Sequence, residues 1–157
     1  MGLKELVDGF AANLGIEGLA LNSEGFAALV ADDMTIRITE HEDGRRFLLE
    51  GEIGEPPPEG QDRLDRAILK MNSSIMSSQG FSVAIDSEDK YVLVALSDYE
   101  TLTLEPFAEK IESFLNELER LRGLLSEYTP LAGDLSKAEC ASIAEYEHAI
   151  MDGFLQA

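Results

Sequence analysis

The sequence predicts an α+β fold: a helix, short strands, a helix, strands and a helix, built on a mainly antiparallel twisted sheet, with an extra C-terminal helix. Three observations lead there. Apolar residues recur at helical spacing in separate segments. Between those segments they alternate with polar residues. Clusters of turn formers, such as Asn22-Ser23-Glu24-Gly25 and Glu42-Asp43-Gly44, punctuate the alternating stretches.

Each element follows from its own pattern. Leu3, Leu6, Val7, Phe10, Ala11 and Leu14 share one helical face, and Gly15 can cap the helix behind them. In LALNSEGFAALVAD, Leu19 and Leu21 alternate, the turn formers follow, and Phe26, Ala28 and Val30 alternate again. This predicts two short strands. Asp32-Asp33 interrupts the pattern. Thr35 to Glu40 and Arg46 to Ile53 then flank an Asp-Gly turn as a hairpin of half-buried strands. Pro56-Pro57-Pro58 stops the second of these, because proline cannot donate to a ladder. A second helix spans about Gln61 to Ser78, with Leu64, Ile68, Met71 and Ile75 on its stripe and Gly80 behind it. Phe81 to Asp86 and Tyr91 to Tyr99 form the next hairpin. The run YVLVAL is apolar on both faces and belongs inside the sheet or under a cover. A third helix runs from about Thr103 to Tyr128, ended by Thr129-Pro130. Beyond it, Ser136 and Glu139 form a capping-box pattern ahead of Ile143, Tyr146, Ile150, Met151 and Phe154, which suggest a fourth helix. The division is residues 1–128 as one α+β domain and 129–157 as a helical extension.

The totals bound the function. A chain of 157 residues, 45% hydrophobic, can bury a proper core. Its 31 acids against 12 bases leave a net charge of −19. Nucleic acids and anionic membranes draw their affinity from Lys and Arg, so neither is an expected partner. One cysteine, Cys140, allows no disulfide framework and no thiolate zinc site. The N-terminal MGLKELVDGF does not read as a signal peptide, and no apolar run approaches the ~20 residues of a membrane span, so a cytoplasmic location is expected.

Reactive groups are sparse. His41 lies between Glu40 and Glu42, and the other histidine, His148, is in the tail. Two histidines on different elements make a poor metal or general-base pair. Cys140 follows Glu139, whose charge disfavours a thiolate. Ser73, Ser74, Ser77 and Ser78 lack a nucleophile elbow, Asp86 to Lys90 lacks the calcium-loop pattern, and no phosphate loop is present. No cofactor, no metal and no enzymatic activity are expected.

Several features in fixed order then resemble one family. They are Phe10 with Leu14-Gly15, Leu19-x-Leu21-Asn22-x-x-Gly25, the pair Asp32-Asp33, and Leu48-Leu49 with Gly51 and Gly54. Asn72 late in the second helix and Phe114 to Leu125 in the third complete the set. Across residues 3 to 128 the chain resembles the class I type III secretion chaperones, the Tir-chaperone-like family of small acidic bacterial proteins. It departs from the family in having no Trp and in continuing past Pro130.

The resemblance implies a secretion-chaperone-like fold and a bacterial, cytoplasmic homodimer. It implies binding of the N-terminal segment of a secreted effector in extended form, keeping it soluble and secretion-competent without ATP, with contacts to the secretion apparatus as a further partner. Effector-binding candidates are Phe10, Leu14, Ile36, Ile38, Phe47 and Leu49, and dimer-interface candidates are Ile68, Met71, Ile75, Tyr91, Leu93 and Ala95. For each, a plain core role is the competing reading. Two other functions stay open: a regulatory partner that sequesters a secretion regulator, and an enzyme using clustered carboxylates and His41.

Overall fold

The computed structural model describes residues 1–128; the expected fourth helix, with Cys140 and His148, lies outside the described residues. The described elements are α1 (Leu3–Leu14), β1 (Phe26–Ala31), β2 (Met34–Glu40), β3 (Arg46–Gly54), α2 (Gln61–Gln79), β4 (Ser82–Ile85), β5 (Tyr91–Asp98) and α3 (Leu104–Glu127). The α+β class with a mainly antiparallel sheet is what the sequence patterns require.

All five strands join one antiparallel sheet in the order β1-β2-β3-β5-β4. Three strands precede α2 rather than the expected four. Leu19 to Leu21 is not a strand: Asn22 Oδ1 accepts from the N–H groups of Glu24 (2.9 Å) and Phe26 (3.0 Å), tightening the chain into an Asx-type turn that leads into β1. The hairpin partner of β1 is β2, joined to it at Asp32-Asp33, where Asp32 adopts a φ of 54°. A short carboxylate side chain tolerates that left-handed conformation.

The inward positions of the strands follow the two-residue period. Ala27, Leu29, Ile36, Ile38, Phe47, Leu49, Val83, Leu93 and Ala95 are buried in a single core with α1, α2 and α3. Phe107 of α3 anchors it, its ring 5.9 Å from Phe10 of α1 and 5.5 Å from Phe47 of β3. α3 lies close over β3 because Gly51 carries no side chain; a Cβ there would stand 2.6 Å from Leu118 Cδ2. Arg122 of α3 also reaches Asp33 at 2.8 Å, tying the helix to the β1–β2 turn. Among the described residues, no helix is long and apolar enough to cross a membrane.

Candidate partner-binding surface

The outward positions of the sheet carry a different population. Antiparallel register lines up Phe26, Thr39, Leu48 and Leu96 as one row across four strands. Phe26 and Leu48 are half-buried and Leu96 is 46% exposed. The next row runs Ala28, Arg37, Glu50 and Val94, with Arg37 and Glu50 paired at 2.9 Å. A third row begins at Val30, 67% exposed at the free strand, and passes Thr35. The result is an apolar row beside a salt-bridged one, a surface able to take both greasy side chains and polar backbone.

The two edges of the sheet differ. β4 is closed by α2: the Asn72 side-chain amide donates to the Val83 carbonyl at 2.9 Å and accepts from the Val83 N–H at 2.7 Å. β1 is the other edge strand, paired only to β2. It offers the backbone donors and acceptors that an added strand would use. An open edge therefore borders an open, partly apolar face.

The candidates read from sequence fall in different places. Ile36, Ile38, Phe47 and Leu49 are fully buried on the inward face, and Phe10 is buried beside them; Leu14 alone of the six is exposed, at 61%. On the other set, Met71, Ile75, Tyr91, Leu93 and Ala95 are buried within the subunit and Ile68 is half-buried. The exposed apolar residues of α2 are Leu69 (73%) and Met76 (52%), seven residues apart on one face. These, with Val30, Leu48 and Leu96, are not among the site candidates read from the sequence. Strict strand parity was the available signal, since Leu48 and Leu96 each follow an inward residue by one position.

The titratable groups near the surface are structural. The Tyr99 hydroxyl sits 2.5 Å from Glu40 Oε1 and 2.6 Å from the Gly44 carbonyl, and its hydrogen bond to Glu40, then its burial, push its pKa up to about 12. Burial, aided by the Asp65 carboxylate at 2.5 Å, holds the Tyr91 phenol far above its usual range. Glu117, the one buried carboxylate among the described residues, pairs with Arg120 at 2.6 Å. His41 Nδ1 faces Asp43 at 3.2 Å on an exposed turn. No group of three or more His, Cys, Asp or Glu among the described residues could hold a metal ion.

A model of the Tir chaperone protein (CesT) family matches residues 5–122. No curated protein matches the sequence. Among solved structures, a chain of the ExsC–ExsE complex is 26% identical, with a TM-score of 0.68 over 80% of this chain and 97% of that one. The Yersinia pestis type III secretion chaperone SycH, in complex with a stable fragment of YscM2, is matched at 21% identity and a TM-score of 0.61, covering 78% of this chain and 98% of that one. The heterodimeric ExoU–SpcU complex of the Pseudomonas aeruginosa type III secretion system gives 20% identity and a TM-score of 0.60, covering 78% of this chain and 99% of that one.

Proposed function

The chain belongs to the Tir chaperone protein (CesT) family, and from that premise we propose that it is a type III secretion chaperone for a secreted effector. It holds the N-terminal segment of that effector in extended form and keeps it soluble and ready for export. Its work is binding rather than catalysis, it needs no ATP, and it acts in the bacterial cytoplasm.

One observation carries this reading. The sheet has a helix-covered face and an open one, and the open face meets the free β1 edge. An extended segment can add to β1 through its backbone and set alternate side chains against Val30 and along the row Phe26, Leu48, Leu96. Leu14 contributes a contact from the end of α1. Phe10, Ile36, Ile38, Phe47 and Leu49 take part from beneath, fixing the strand positions from the core.

The working unit is a homodimer, supported by the exposed pair Leu69 and Met76 on α2. Ile68, Met71, Ile75, Tyr91, Leu93 and Ala95 shape that side of the subunit from within. Contacts with the secretion apparatus complete its set of partners.

The test is co-expression with the first ~100 residues of the exported protein encoded beside this chain's gene, a length able to wrap a standard-sized interface. The fragment should remain in the supernatant with the chain and precipitate without it. Val30→Asp combined with Leu96→Asp should lose that effect while the chain still folds. A fragment held equally well by the double variant would place binding elsewhere.

A further inference from the structure

Between α2 and the last turns of α3 lies a shallow apolar groove, with about 30 Å³ of room for water-sized molecules. Ile53, Ile68, Leu121, Leu124, Leu125 and Tyr128 are among the residues that line it. Four of them, Ile68, Leu124, Leu125 and Tyr128, are only half-buried. The stripe that buries Phe107 to Leu121 of α3 against the sheet thus continues for two more turns without full cover.

We propose that this groove is covered by the chain's own C-terminal segment, residues 137–155, docked as an amphipathic helix on the same subunit. The inference stands apart from the effector-binding reading, and three facts point to this occupant. First, the last described residue, Tyr128, is itself part of the groove wall, its hydroxyl donating to the Gly60 carbonyl at 3.3 Å. The continuing chain starts at the groove and need not travel to reach it. Second, α3 ends at Glu127, and eight residues, 129–136, can span at most roughly 26 Å, ample for a reversal alongside α3.

Third, Cys140, Ile143, Ile150 and Phe154, with Tyr146 beside them, fall on one stripe at helical spacing behind the Ser136–Glu139 capping pattern. A helix over 137–155 would be about 28 Å long, matching the 19 residues of α2.

The experiment uses the full chain and its single thiol. Cys140 lies on the proposed buried stripe, so its reaction with a disulfide reagent reports docking directly. The native thiol should react about 10-fold or more slowly than that of the double variant Ile150→Ala/Phe154→Ala, because docking confines reaction to local openings. These substitutions lie outside residues 1–128, where hydrogen exchange away from the groove should not change. Hydrogen exchange should show protection at 138–154 and at 121–128 in the native chain, lost at both in the variant. Equal thiol rates in native and variant chains would overturn the proposal. So would protection that grows with chain concentration, which puts the segment on a second copy, or protection that arises only when an effector fragment is added.

Discussion

The side-chain amide of Asn72 replaces a neighbouring strand for β4, supplying one donor and one acceptor to Val83. Replacing it with alanine leaves both backbone groups half-buried and unmet. Asn72→Ala should therefore cost about 1–3 kcal/mol, measured as a lowered urea midpoint with an unchanged slope. Tyr99 gives a pH signature at the same scale. Its phenol, held protonated by Glu40 and by burial, has a pKa raised from 10.0 to about 12. The stability linked to it is fully present below pH 10 and is lost as pH rises through about 12. Tyrosinate absorbance should show this phenol titrating only at the top of that window, and Tyr99→Phe should flatten the alkaline loss of stability. At this scale the sequence was a partial guide. Asn72 stood out through resemblance alone, because nothing in LKMNSS says that the amide meets a strand eleven residues on.

At the scale of elements, the three helices were legible because each carries a stripe at 3.6-residue spacing with a boundary residue behind it, as Gly15 and Gly80 show. The strands were less so. Leu19 and Leu21 alternate as a strand would, but Asn22 accepts from the N–H groups of Glu24 and Phe26 and turns the chain directly into β1. Alternation also shows which residues share a face without showing which face is covered. The expected binding residues Ile36, Ile38, Phe47 and Leu49 accordingly lie inward, while Val30, Leu48 and Leu96 lie outward. On α2 the core stripe was visible, but Leu69 and Met76 look like stray apolar residues until burial places them on one exposed face. Leu69→Asp together with Met76→Asp should convert a dimer to a monomer in analytical ultracentrifugation with the helix content kept. A native chain that sediments as a monomer would remove the dimer from this account.

At the scale of the whole molecule, the net charge of −19 and the open sheet serve different ends. The charge favours solubility and repels nucleic acid, and the helices and sheet bury one common core. What is left over is an edge, a partly apolar face and the family that the chain belongs to. The most direct test is calorimetric titration of the full chain with that neighbouring exported protein's N-terminal fragment. Saturable binding is expected, with a Kd of about 1 μM or tighter and a negative heat-capacity change from apolar burial. A folded chain that gives no heat and no complex with that fragment, or with the N-terminal fragment of any other protein the bacterium exports, would contradict it.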